Sequence, residues 1–192
     1  MDDNKYGKIV SFIHTLIKES YNGQGNLNLI DATCGNGFDT LFLCNIAGKT
    51  GHVTSFDIQN EAIERTDKLL KMNLDYINYK LIKDSHEFIY KYVTDTIDVC
   101  VFNLGYLPQY DKQIKTNGDT TISAICNLLP LLNKNGRIYI AAYITHDTGE
   151  ENNKIINFLS SLNNTQYNVL HIKLINKLNS PPEIFIIEKN AW

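Results

Sequence analysis

The stretch from Leu29 to Thr40, Leu-Ile-Asp-Ala-Thr-Cys-Gly-Asn-Gly-Phe-Asp-Thr, constrains this chain more than any other. An apolar run that reads as a buried strand ends in Asp31, a short turn holds Gly35 and Gly37, and Leu41, Phe42 and Leu43 resume in a helical pattern. Strand, glycine turn and helix in that order form the entrance to a nucleotide-type cofactor site. Glycines let the backbone approach a ligand closely, and the free amides at the helix start face a negative group. A Gly-x-Gly turn can also serve only to close a tight connection, so on its own it leaves dinucleotides, nucleoside cofactors and no ligand at all open.

The rest of the chain alternates. Tyr6, Ile9, Val10, Ile13, Leu16 and Ile17 recur at helical spacing, and the Gly23, Gly25 turn stops that helix, which is expected to pack beside the cofactor cleft (residues 1–22). After the helix to about Ala47, His52 to Ile58 reads as a strand, Glu61 to Met72 as a helix and Asn78 to Ile82 as a strand. A short helix through Phe88, Ile89 and Tyr92 leads to a strand from Ile97 to Asn103. Gly105 to Gly118 has no clear period and reads as a functional loop. Thr120 to Leu132 is expected to be helical, Gly136 to Tyr143 a strand, and Thr148 to Leu162 a helix. Tyr167 to Leu174 and Ile184 to Glu188 then read as two strands with Pro181 and Pro182 in the turn between them. Seven strands with interleaved helices predict an α/β, Rossmann-like fold: a mostly parallel sheet, helices on both faces, and a C-terminal antiparallel hairpin.

Composition narrows the setting. A chain of 192 residues, 43% of them hydrophobic, suits one domain spanning residues 1–192. Met1-Asp-Asp-Asn-Lys5 lacks the basic and apolar regions of a signal peptide, and no apolar run reaches the roughly 18 residues of a membrane helix, so a soluble, cytoplasmic protein is expected. Cys34, Cys44, Cys100 and Cys126 are scattered, with no Cys-x-x-Cys pair to suggest zinc, and read as reduced thiols; no metal is expected. A formal net charge of -3 excludes a general polyanion binder, so an RNA partner would be gripped at a restricted patch such as Lys68 with Lys71 or Lys112 with Lys115.

In a doubly wound sheet, ligands bind beyond the carboxyl ends of the strands. Asp31, Asp57, Asp84 with Ser85 and His86, and Asn103 all fall at such ends. Asp57 follows the glycine turn at about the interval of a carboxylate that accepts ribose hydroxyls. The turn itself, Gly35-Asn-Gly-Phe-Asp39, lacks the third glycine of a dinucleotide site and carries acidic groups that would repel a diphosphate. S-adenosylmethionine carries a sulfonium and an ammonium, which suit Asp31 and Asp39, and a carboxylate for the helix-start amides. Asp31 has a second reading as the residue that holds the turn through backbone amides.

Asp31-Ala-Thr-Cys-Gly-Asn-Gly-Phe-Asp-Thr-Leu-Phe-Leu43, Phe56-Asp-Ile-Gln59, Asp84-Ser-His-Glu87, Phe102-Asn-Leu-Gly-Tyr-Leu-Pro108 and the Pro181-Pro182 turn before Glu188-Lys189 resemble the MnmM (YtqB-like) methyltransferases, also catalogued as rRNA methylases. The resemblance covers nearly the whole chain. It implies a class I S-adenosylmethionine-dependent methyltransferase that acts on the tRNA anticodon loop. There it would N-methylate the 5-aminomethyl group of 2-thiouridine at the wobble position, and a homodimer is also implied. Carried over by motif, Asn36, Asp39, Asp57, Gln59, Ser85 and His86 contact the cofactor, with Asp31, Gly35, Gly37 and Asp84 in the same site. Asn103 belongs to the cofactor site as well, and with the loop after it (Leu104, Gly105, Tyr106, Pro108, Lys112) faces the methyl group and the base. Tyr143-Ile-Thr-His-Asp-Thr-Gly149 departs from the family pattern, with Thr145 and Thr148 where glycines are usual, as does Leu107-Pro-Gln-Tyr-Asp-Lys112. Both departures fall on the substrate side.

The chemistry follows from the residues as well. Methyl transfer is an in-line displacement at an activated carbon, so the protein has to align a nucleophile and exclude water. An aliphatic amine with a pKa of about 10 is mostly protonated at neutral pH, and the site must favour its neutral form. Asn103 is expected to accept an amine hydrogen, Tyr106 to stack on a base, Pro108 to stiffen the loop, and Tyr143 to form half core, half pocket wall. His146 is the candidate general base or phosphate contact, and Tyr110, Lys112 and Lys115 are candidates to grip the RNA. His14, His52 and His171 lie outside these motifs and receive no function. Two other readings stand beside this one: a methyltransferase for rRNA or a small amine or phenol, and a noncatalytic nucleotide- or RNA-binding module.

Overall fold

Successive side chains of the central strands enter two different cores, and this sets the layering of the molecule. A computed structural model describes residues 9–104, 118–143, 150–176 and 182–191. Its elements are α1 (Ile9–Tyr21), β1 (Asn28–Asp31), α2 (Phe38–Ala47), β2 (His52–Asp57), α3 (Asn60–Asn73) and β3 (Tyr79–Lys83). A 3-10 helix (His86–Lys91), β4 (Ile97–Leu104), α4 (Gly118–Leu128), β5 (Leu132–Ala142), α5 (Glu150–Ser160), β6 (Tyr167–Ile172) and β7 (Glu183–Lys189) follow. The strands form one sheet in the order β3-β2-β1-β4-β5-β7-β6. β1 to β5 run parallel, and β7 is antiparallel to both β5 and β6, so the expected parallel sheet with a terminal antiparallel pair is found.

Both faces of the central strands are apolar, as the continuous hydrophobic runs require when helices cover each side. Leu29, Val99, Val101, Tyr139 and Ile186 point into one core, where Ile13 and Ile17 of α1, Leu43 of α2 and Leu70 of α3 meet them. Ile30, Cys100, Phe102, Ile140 and Phe185, their neighbours along the chain, point into the other core, under α4 and α5. The spacing of Ile9, Ile13, Ile17 and Tyr21 explains why α1 lies on the sheet by a single stripe. No helix among the described residues is long and apolar enough to cross a membrane.

The largest boundary difference lies between α4 and β5. The helix expected to reach Leu132 stops at Leu128, a 3-10 turn spans Leu129–Leu131, and β5 already begins at Leu132 rather than Gly136. Pro130 explains it, since proline lacks the amide a continuing helix needs and disfavours helical backbone before it. The strand then pairs Ile97 with Leu132 and shifts register before Val99 meets Arg137.

The chain runs outward from β1 to β3 and returns to β4 on the opposite side of β1, so strand order reverses between β1 and β4. That reversal opens a crevice at the carboxyl ends, where Asp31 pairs in register with Ser55 on one side and Val101 on the other.

Candidate active site

The glycine turn closes over the reversal through its own backbone. Cys34 N donates to Phe56 O at 2.8 Å and Gly37 N donates to Cys34 O at 2.7 Å. Gly37 has a φ of 83°, and a Cβ there would lie 2.9 Å from the Thr66 Cα of α3. Both the left-handed backbone and the close approach therefore demand glycine. Gly37→Ala is expected to lower stability by about 3 kcal/mol, the sum of left-handed strain and overpacking, as read from urea unfolding.

Asp31 is fully buried at the end of β1. Its Oδ1 accepts Thr33 N at 3.1 Å and its Oδ2 accepts the Thr40 hydroxyl at 2.6 Å. Burial raises its pKa, the Asp39 carboxylate adds to the rise, and the Thr40 and Thr33 hydrogen bonds oppose it. Of the two readings of Asp31, this geometry carries the structural one: the carboxylate holds the turn and offers no surface to a ligand.

Asp57, at the end of β2, accepts Gly35 N on Oδ2 and Gln59 N on Oδ1, each at 2.9 Å. It thus fixes the glycine turn from the neighbouring strand while staying partly exposed. Burial raises its pKa against the hydrogen bonds from Gln59 and Gly35. Asn36 Oδ1 accepts from Arg65 Nη1 at 3.2 Å.

Asp39 sits in the first turn of α2, where the free amides favour a carboxylate, and is 7% exposed. Its Oδ1 lies 2.7 Å from His14 Nε2, and its Oδ2 accepts from Asn103 Nδ2 at 3.2 Å. The Asn103 backbone amide donates to Thr33 Oγ1 at 2.8 Å, tying the end of β4 to the start of the turn. Tyr143, 43% exposed just after β5, has its pKa raised by burial and further by the Asp39 charge.

On the β3 side, Asp84 accepts Ser85 N on Oδ1 and the Tyr92 hydroxyl on Oδ2, both at 2.8 Å. Ser85 Oγ accepts Glu87 N at 3.2 Å and caps the 3-10 helix. His86 is buried edge-on to Phe102, and desolvation lowers its pKa to about 4 despite a hydrogen bond to the Ala32 backbone. Its ring is therefore neutral near pH 7.

Besides Asp31, expectation and geometry part at two residues. Leu104, expected on the substrate side, is buried in the core under α4, because the alternation of β4 turns it to the same face as Phe102. His14, given no function, is brought onto Asp39 by α1, and its ring stacks on Phe42 with centroids 3.8 Å apart and planes 5° apart. Its signal in the sequence was position alone: one residue past Ile13, it sits at the margin of the α1 apolar stripe. Thr33 and Thr40 were also missed as the partners that hold Asn103 and Asp31. Phe38, 68% exposed at the start of α2, and the half-exposed Ile58 after β2 add apolar surface near the same strand ends. Gly105, Tyr106, Pro108, Tyr110, Lys112, Lys115, Thr145, His146 and Thr148 lie outside the described residues. Among the described residues no group of three or more His, Cys, Asp or Glu side chains could hold a metal.

A glycine turn beside acidic and amide groups at a strand-order reversal narrows the choice of families, and comparison decides it. The sequence model of the family described as "Putative rRNA methylase" matches residues 53–188. The chain belongs to this family. This family member is 39% identical to a solved protein of Clostridium thermocellum named "putative rRNA-methylase"; 95% of this chain and 97% of that one align, with a TM-score of 0.89. A Streptococcus mutans protein described as "a putative methyltransferase" and solved in complex with SAH is 34% identical over 95% of this chain and 98% of its own, with a TM-score of 0.83. The tRNA (mnm(5)s(2)U34)-methyltransferase, chloroplastic, of Arabidopsis thaliana is 33% identical over 172 residues, 84% of this chain. The chain spans 63% of the length of that plant protein. The seven-stranded sheet of this family member is the class I methyltransferase fold.

Proposed function

We propose that this chain is an S-adenosylmethionine-dependent methyltransferase that N-methylates the 5-aminomethyl group of (2-thio)uridine at the tRNA wobble position, giving 5-methylaminomethyl-2-thiouridine. The observation that carries the chemistry is the hydrogen bond from Asn103 Nδ2 to Asp39 Oδ2. A carboxylate only accepts, so the Asn103 amide must give it the NH2 group, and the Asn103 carbonyl is left for another donor. A primary amine is such a donor. An N–H held by that carbonyl orients the nitrogen lone pair, and the neutral amide does not retain the proton as a carboxylate at the same place would.

The donor set fits the cofactor. Asp57 and Asn36, the latter bonded to Arg65, flank a turn whose glycines admit a close ligand, and the Asp39 and Asp57 carboxylates suit a cationic nucleoside better than a diphosphate. Asp57 would hold the ribose hydroxyls, and the amides at the α2 start would hold the amino-acid carboxylate. When bound, S-adenosylmethionine supplies a methyl group activated by its sulfonium. The wobble acceptor draws its support from the Arabidopsis relative's name and from the resemblance of the Asn103 block. Tyr106 and Pro108 against the base, and His146 and Lys112 against the RNA, belong to the same proposal.

The family description favours a second acceptor, an rRNA base. Two measurements separate the cases. Calorimetry is expected to give S-adenosylmethionine binding in the micromolar range, and absence of heat at hundreds of micromolar would sink both enzyme readings. Nucleoside mass spectrometry of tRNA from cells lacking the protein should show 5-aminomethyl-2-thiouridine accumulating. Unchanged 5-methylaminomethyl-2-thiouridine would move the reaction to another acceptor.

A further inference from the structure

The hydrogen bond that orients Asn103 does not end at Asp39. Asp39 is buried, and a buried carboxylate needs donors on both oxygens. Asn103 Nδ2 serves one, and His14 Nε2 serves the other at 2.7 Å. Because the partner accepts, Nε2 must carry a hydrogen. The stack on Phe42 fixes the plane of the imidazole, so Nε2 stays aimed at Oδ1. Three stretches far apart in sequence, on α1, α2 and β4, are thus joined in one polar line: His14, Asp39, Asn103.

The line constrains rotation. Asp39 anchored by Asn103 alone could turn about its side chain and carry the amide with it. Anchored at both oxygens, it presents Oδ2 in a single place, and the Asn103 amide cannot exchange its NH2 and carbonyl ends without losing the bond. The backbone of Asn103 is held separately by Thr33 Oγ1. Thr33 thus leaves the two side-chain torsions of Asn103 open, and these are what the His14–Asp39 anchor restrains.

We propose that His14 is a positioning residue for methyl transfer: it locks Asp39 so that the Asn103 carbonyl faces the methyl acceptor. This rests on the proposed role of Asn103 and deepens it. His14 itself need not touch cofactor or acceptor. The alternative is that His14 only fastens α1 to α2, in which case its loss would loosen the helix without regard to Asn103.

The test uses the full chain with His14→Ala, His14→Gln, Asn103→Ala and the His14→Ala/Asn103→Ala double variant. Glutamine places an amide NH2 near the position of the imidazole Nε2 and keeps the donor. With tRNA bearing 5-aminomethyl-2-thiouridine, His14→Ala is expected to lower kcat about tenfold with S-adenosylmethionine affinity within about threefold of wild type. His14→Gln should recover most of that loss. In the Asn103→Ala background the His14→Ala change should cost less than about twofold, because the group it positions is gone. An undiminished loss in that background, or a glutamine variant as poor as alanine, would overturn the proposal.

A second readout needs no acceptor. The Asn103 side-chain NH2 signals in a 15N-labelled sample should move in His14→Ala and return in His14→Gln. If they stay put in His14→Ala, the line does not exist in solution and the proposal falls. A wild-type protein that binds S-adenosylmethionine and leaves the aminomethyl tRNA unmethylated would instead overturn the acceptor, with the amide signals still deciding the role of His14.

Discussion

Replacing Asn103 by alanine is expected to lower turnover about 100-fold while S-adenosylmethionine affinity stays within about threefold of wild type. The side chain meets the acceptor through its carbonyl and Asp39 through its NH2 group, and its backbone amide keeps the bond to Thr33 in the variant. The loss therefore falls on alignment of the nucleophile and spares the turn that receives the cofactor. Single-turnover rates with saturating tRNA, set beside calorimetric titration of the cofactor, separate the two. A variant that loses affinity and rate in equal measure would remove Asn103 from the acceptor side. Asn103→Asp supplies a control for size: it restores the shape but sets a second carboxylate against Asp39, and should not restore rate.

Asp57→Ala is expected to act in the opposite sense, weakening S-adenosylmethionine binding about 100-fold, or about 2.8 kcal/mol. Two losses combine. The ribose hydroxyls lose their acceptor, and the Gly35 and Gln59 amides lose theirs, so the turn that the cofactor must fit is released from β2. Hydrogen bonds to a charged group contribute about 1.5–3 kcal/mol each, enough for the expected fall even when water replaces part of them. Calorimetry reads the affinity, and Asp57→Asn should fall between the two because it keeps one accepting oxygen. An Asp57→Ala protein that binds the cofactor as well as wild type would leave the carboxylate a purely internal brace.

The contrast between Asp57 and Asp31 marks how far sequence reasoning reaches. Both end a strand beside the turn, and spacing alone marked Asp57 as the ribose carboxylate while leaving Asp31 with a ligand role and a structural one. Packing shows which role Asp31 takes: it pairs between β2 and β4 in the middle of the sheet and is sealed, whereas Asp57 lies one strand further out and stays partly exposed. Strand and helix positions were legible because buried parallel strands write themselves as apolar runs broken by glycine and acidic turns. The exception, the boundary near Pro130, arose because the apolar residues Leu128 to Leu132 fit a helix and a strand equally, and only the proline distinguishes them. His14 was illegible for another reason. Its partner is 25 positions away and it stands between Ile13 of the apolar stripe and the polar Thr15, so nothing local distinguishes it from a histidine at the rim of a core.

The single apolar stripe of α1 has a consequence for heat tolerance. Ile9, Ile13, Ile17 and Tyr21 hold the helix to the sheet from one side, whereas β1 and β4 are enclosed on both. Elements attached along one face open at lower free energy than enclosed strands, so α1 can lift while the sheet stays intact. His14 leaves Asp39 when that happens. If His14 positions Asn103 as proposed, methyl transfer is expected to fail on heating below the unfolding midpoint read by circular dichroism, and coincidence of the two temperatures would count against it.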